Sequence, residues 1–160
     1  MYQIEFGIVH RGCLVNELSR ALPRVRMICP GGFILGPKSV EELVVLDRPS
    51  EEEVKAVLDH LDESDGIAEA QVVERSADKV YIYFKAIETP ESFCSQVVER
   101  NRCLKIGMEI QSGGVEQWKV GCVERADAET LIEDMKELGE LTYTKITETS
   151  WENLLTGDPQ

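Results

Sequence analysis

The sequence predicts a mixed α+β fold made of two tandem repeats, each ordered βαββαβ around an antiparallel sheet. Three observations carry that expectation. YQIEFGIV and VYIYFKA alternate apolar and polar residues with the period of a half-buried strand. Helical apolar spacing follows such runs. Finally, DRPSEEEVKAVLDHL (Asp47–Leu61) lies over ERADAETLIEDMKEL (Glu124–Leu138) without gaps, at a repeat period near 77–81 residues.

In the first half, Tyr2, Ile4, Phe6 and Ile8 make one face of the opening strand. Leu14, Val15, Leu18, Ala21 and Leu22 form a helical stripe that Pro23 ends. Val25–Cys29 is a second strand, stopped by Pro30-Gly31-Gly32; Phe33–Gly36 and Pro37 form a loop or short extension, and a third strand follows at Glu42–Asp47. Ser50, three residues before Glu53, is a capping box that opens a helix turning Val54, Val57, Leu58 and Leu61 inward. Gly66 ends it, and Ile67–Glu74 is a fourth strand.

The order then recurs. Val80, Ile82 and Phe84 line a strand, and Thr89-Pro90-Glu91 starts a helix with Phe93, Val97 and Val98 apolar. Ile106–Ile110 is a strand that breaks at Ser112-Gly113-Gly114, and Gln117–Val123 is the next. Asp127 caps a helix bearing Leu131, Ile132, Met135 and Leu138, Gly139 ends it, and Leu141–Ile146 closes the series. A βαββαβ unit is the ferredoxin-like motif, and two in tandem are ACT-like. The expected divisions are a first repeat at 1–76, a second at 79–147, and a tail at 148–160. Each repeat leaves one sheet face open, so a homo-oligomer, most simply a dimer, is expected to cover it.

Net charge is −13, from 30 acids against 17 bases, a surface that repels phosphate backbones. Apolar runs are far too short to cross a bilayer, and no signal-peptide pattern opens the chain, so a cytoplasmic protein without a membrane partner is expected. The five cysteines, Cys13, Cys29, Cys94, Cys103 and Cys122, are odd in number and irregularly spaced, which reads as free thiols in a reducing compartment. No pair has metal-ligand spacing, and the residues name no cofactor.

Two stretches carry a family resemblance. GVEQWKVGCVERADAETLIEDMKELGELTYTKI (Gly114–Ile146) has a strand with a Trp, an acid-Arg pair, an acidic amphipathic helix and a closing strand. HRGCLVNELSRALPRVRM (His10–Met27) has a Cys after the first strand, a short helix with Leu-Ser, and a Pro before the next strand. Both resemble the N-terminal sensor region of archaeal helix-turn-helix transcription regulators related to the bacterio-opsin activator. The resemblance implies a sensor domain with a small-molecule effector. Its DNA-reading segment normally comes afterwards, and TETSWENLLTGDPQ after Ile146 is too short for one, so DNA is expected only through a partner or a missing segment.

Within that frame Cys13 stands at a strand-to-helix turn, where a helix N-terminus and the nearby His10 and Arg11 would lower a thiol pKa. Cys29 ends the strand expected beside the first one and would be its resolving or co-ligand partner. The competing reading of Cys13 is a small, partly buried residue of the turn. The two Gly-Gly sequences lack the lysine and helix start of a phosphate loop and read as hairpin turns. Glu51-Glu52-Glu53 read as a solvated first helical turn, His60 as surface, and Trp118 as core. No catalytic constellation can be assembled from two histidines. The expected function is a non-enzymatic sensor that binds a small effector or senses redox. A small thiol- or metal-handling protein or enzyme using Cys13 and Cys29 is the alternative.

The charge balance generates one prediction. In a mobility-shift titration at physiological salt and sub-micromolar protein, this polypeptide should give no sequence-dependent shift of duplex DNA; a shift that follows sequence would contradict the electrostatic reading.

Overall fold

A computed structural model of the chain describes residues 1–36, 39–87 and 93–156. Among the described residues the elements are β1 (Tyr2–His10), α1 (Leu14–Ala21), β2 (Arg26–Gly36), β3 (Ser39–Asp47), α2 (Glu51–Asp62), β4 (Ile67–Arg75) and β5 (Lys79–Ala86). Then come α3 (Cys94–Arg100), β6 (Cys103–Lys105), β7 (Glu109–Ser112), β8 (Val115–Cys122), α4 (Arg125–Leu138), β9 (Gly139–Glu148) and α5 (Trp151–Thr156). The fold is mixed α+β, and the strand registers described are all antiparallel. No helix among the described residues is long and apolar enough to cross a membrane.

Two compact units divide the chain, and both boundaries differ from the sequence repeats. Unit 1 comprises Met1–His10, Ser92–Met108 and Gln117–Gln160; unit 2 comprises Arg11–Glu91 and Glu109–Glu116. β1 therefore belongs with the later elements, whereas β5 belongs with the earlier ones.

In unit 1 the strands run β6-β8-β1-β9. Ile4, Phe6 and Ile8 of β1 join Trp118 and Val120 of β8, Val97 and Val98 of α3, and Leu131 and Met135 of α4 in one buried core. Phe6 and Trp118 lie parallel with ring centroids 6.3 Å apart, so Trp118 is core, as its place in the sequence suggests. Asn101, at the end of α3, donates from Nδ2 to the Val97 carbonyl at 3.0 Å and to Asp134 of α4 at 2.9 Å. Arg100 reaches the same carboxylate at 3.1 Å, and these two hydrogen bonds hold Asp134 below the usual carboxylate range. The tail helix α5 docks on this unit: a Cβ on Gly121 would come within 3.2 Å of Trp151 and 3.1 Å of Leu154.

Unit 2 orders its strands β4-β5-β3-β2-β7. β5 lies between β3 and β4, pairing Ile82 with Val44 on one side and with Val72 on the other. Asp47 sits in register with Arg26 and Lys79 on the flanking strands, 3.0 and 3.7 Å from their charged groups. The capping box of α2 is present, with Ser50 and Glu53 exchanging two 3.1 Å hydrogen bonds.

Several expectations are corrected locally. Pro30-Gly31-Gly32 does not stop β2: the register shifts between Ile28 and Gly31, and the strand continues to Gly36. Gly31 supplies a φ of 143°, and Gly32 lets the Glu41 carbonyl approach to 2.3 Å from where a Cβ would stand. α4 begins at Arg125 after Glu124, ahead of Asp127, and no side chain caps it. The expected Ile106–Ile110 strand is replaced by β6 and β7 on either side of Gly107, whose φ is 72°. The helix start expected at Thr89-Pro90-Glu91 and the loop residue Pro37 lie outside the described residues.

The reading of five free thiols is also overturned, because Cys103 and Cys122 form a disulfide. They face each other in the β6–β8 ladder with Cα atoms 4.5 Å apart, the spacing of a directly opposed, close antiparallel pair. Linear spacing could not reveal this, since 19 residues separate them. Closing a loop of that length should stabilise the fold by about 3 kcal/mol through the unfolded state. Denaturant unfolding with and without a thiol reductant measures it: the difference should be near that figure, and should vanish in a Cys103→Ala/Cys122→Ala double variant.

Candidate functional site

One face of the unit 2 sheet carries both chemistry and core. Register places Met27 opposite Leu46 and Gln111, Cys29 opposite Glu109, and Gly32 opposite Glu42. With alternate residues sharing a face, Met27, Cys29, Glu42, Val44, Leu46, Glu109 and Gln111 point the same way. Toward β3 the row is apolar. At the β2–β7 end it turns polar, and there α1 packs against β7.

A buried amide network fixes α1 in that position. Asn16 donates from Nδ2 to the Gln111 side-chain oxygen at 3.1 Å and to the Gly114 carbonyl at 3.0 Å. The Gly114 amide donates to Ser19 Oγ at 3.0 Å, and Gln111 donates to Glu109 at 2.8 Å. Asn16, Ser19 and Gln111 are all buried, where leaving such groups unpaired would cost about 1–3 kcal/mol each. The second Gly-Gly turn thus does more than reverse the chain. Gly113 and Gly114 adopt φ of 59° and 82°, and a Cβ on Gly114 would press on Arg20 at 3.1 Å. Its bare backbone is what the helix grips.

This clamp delivers Cys13, the residue preceding the first turn of α1, to the polar end of the face. Cys13 is half-buried and Cys29 buried, and Cys13 acts electrostatically on Cys29. Their thiols are not activated. Burial pushes the Cys13 pKa well above its ordinary 9.0, and Glu116, Glu109 and Glu42 push it further, while the Asn16 backbone amide pulls the other way. Cys29 is raised well above 9.0 by burial and then by Glu109, Glu42, Cys13 and Glu116. The expectation of a helix-activated thiolate fails here because burial, and after it the three carboxylates, outweighs one amide.

Of the four residues singled out in the sequence, Cys13 and Cys29 are brought together. Arg11 is exposed on the turn after β1. His10 belongs to unit 1, where it is buried beside Cys94. Sequence reading missed Glu42, Glu109 and Glu116, together with Asn16, Ser19 and Gln111. The polar Asn16 and Ser19, flanking Leu18 on the otherwise apolar helix stripe, were the available signal. His60 is exposed, as expected.

Residues 3–141 match a protein-family model described as HVO_2525_N, N-terminal, a domain of an archaeal Haloferax protein. That match supports an archaeal amino-terminal domain and does not connect the chain to bacterio-opsin activator regulators. No curated protein matches the chain.

The raised thiol pKa values have two measurable consequences. The folded form holds these protons more tightly than the unfolded chain, so their contribution to stability is complete below the ordinary thiol range and lost as pH climbs beyond it. Alkylation followed by mass spectrometry at pH 8 should find Cys13 and Cys29 slower than free cysteine. Glu109→Gln should speed both, by about tenfold for each unit by which the pKa falls; a Cys13 already faster than free cysteine would contradict the electrostatics.

Proposed function

The chain belongs to the HVO_2525_N family, and from that premise we propose that it is a non-enzymatic sensor module whose responsive element is the Cys13–Cys29 cluster. What supports the reading is that Cys29 stands opposite Glu109 across β2 and β7 and that Glu116, Glu109 and Glu42 act electrostatically on both thiols. Such a cluster disfavours thiolate formation in the absence of positive charge, which makes it a poor peroxide sensor. A cation reverses the balance: it neutralises the carboxylates, stabilises the thiolates and displaces their protons. Thiolate with carboxylate is a donor set suited to a borderline divalent cation such as Zn²⁺. The effector is therefore a thiophilic divalent cation, and its binding is coupled to the seating of α1 on β7.

The architecture belongs to the same proposal. Four strands of each unit, β6-β8-β1-β9 in unit 1 and β4-β5-β3-β2 in unit 2, stand in the order of a ferredoxin-like sheet, with β1 and β5 each in the place of the first strand and β7 added at the end of unit 2. On this reading the two repeats have exchanged first strands, and unit 2 is inserted after His10. The regulatory output, transcription control through DNA read by a partner or a further segment, rests on the resemblance of His10–Met27 and Gly114–Ile146 alone.

Zn²⁺ titration of metal-free, reduced protein tests this by calorimetry and thermal unfolding. Binding should be saturable, raise the unfolding temperature, and weaken by at least about tenfold in Cys13→Ser and in Cys29→Ser. Asn16→Ala should also weaken it, without removing a donor. Zn²⁺ affinity indifferent to both cysteines would refute the assignment.

A further inference from the structure

Unit 1 contains a second pair of metal-type donors outside that cluster. Cys94 Sγ lies 3.8 Å from His10 Nδ1, with the cysteine 2% and the histidine 3% exposed. Each is held by the fold. His10 ends β1, opposite Gly139, whose missing side chain lets the two strands close: a Cβ there would lie 1.9 Å from the Val9 carbonyl and 3.2 Å from the His10 α-carbon. Cys94 is the first residue of α3, and with Val97 and Val98 at the third and fourth positions beyond it shares the buried face of that helix. Neither donor needs to reorganise to meet the other.

The geometry points to a second thiophilic-metal site, in which His10 Nδ1 and Cys94 Sγ occupy two neighbouring corners of the coordination sphere of a cation such as Zn²⁺. A tetrahedral zinc with Zn–S of about 2.3 Å and Zn–N of about 2.0–2.1 Å separates adjacent sulfur and nitrogen donors by about 3.6 Å. The observed 3.8 Å is within a few tenths of an ångström of that edge, and at the long end for a direct S–H···N hydrogen bond. Imidazole with thiolate is also a donor pair that selects zinc over the harder magnesium and calcium. The repeat supports a built position rather than an isolated core cysteine: Cys13 and Cys94 both stand where the first helix of their half begins. The site uses unit 1 residues only, so it does not depend on the reading of Cys13 and Cys29.

The experiment uses the full chain carrying Cys13→Ser and Cys29→Ser, which leaves His10 and Cys94 intact. Anaerobic Co²⁺ titration should still produce near-ultraviolet thiolate-to-cobalt absorption that saturates at one equivalent and is displaced by Zn²⁺. Adding Cys94→Ser should abolish the absorption, and adding His10→Asn should weaken binding at least about tenfold. Because both residues are buried, the unaltered protein supplies a second readout: Zn²⁺ should shift the ¹⁵N resonances of the His10 ring at Nδ1. No thiolate absorption in the double variant, absorption that survives Cys94→Ser, or a His10 ring unmoved by Zn²⁺ would each overturn the site. A titration identical in the double variant and the unaltered chain would support this site while removing the one proposed in unit 2.

Discussion

The placement of two nearly interchangeable strands governs this molecule. β1 presents Ile4, Phe6 and Ile8 to a core, and β5 presents Val80, Ile82 and Phe84. Each lies between two other strands of its unit, so its two edges are satisfied by hydrogen bonding. Unit 1 without β1 would lose the neighbour of both β8 and β9. Unit 2 without β5 would lose the link between β3 and β4. Everything functional hangs from these placements: His10 is where it is because β1 ends in unit 1, and Cys13 is in unit 2 because the chain has already crossed.

The fold was legible up to those placements. Period-2 alternation located β1 and β5 to within one residue at each end, and the Ser50–Glu53 capping box located the start of α2. What periodicity cannot say is which sheet receives a strand. β1 and β5 carry the same alternation and the same kinds of residue, so the sequence is equally consistent with either assignment, and the simpler consecutive one was expected. Bulged β2 was misread for a related reason: Pro30-Gly31-Gly32 has the composition of a turn, and only its partner β3 shows that the chain passes straight through.

The candidate sites were legible as atoms and opaque as environments. Cys13 and Cys29 stand out by residue type, and their approach follows from the topology of α1 and β2. Their electrostatics do not, because Glu109 and Glu116 arrive on β7 and β8 from about a hundred residues away, while the nearby Arg11 is exposed. A local reading favours a thiolate and the assembled site favours a thiol. Cys94 shows the converse: as one of five irregularly spaced cysteines it carries no local signal, and it stands out only because β1 ends with His10 beside it. Cys103 and Cys122 complete the point, being unremarkable in sequence and directly opposed in the β6–β8 ladder.

Nuclear Overhauser contacts across the strands of isotope-labelled full-length protein test the central claim, the placement of β1 in unit 1 and of β5 in unit 2, most directly. The account predicts contacts from Tyr2–His10 to Gly139–Glu148, with Ile4 facing Ile146. It also predicts contacts from Lys79–Ala86 to both Ser39–Asp47 and Ile67–Arg75. Contacts from Tyr2–His10 to Ser39–Asp47 instead would contradict the placement from which both sites are derived.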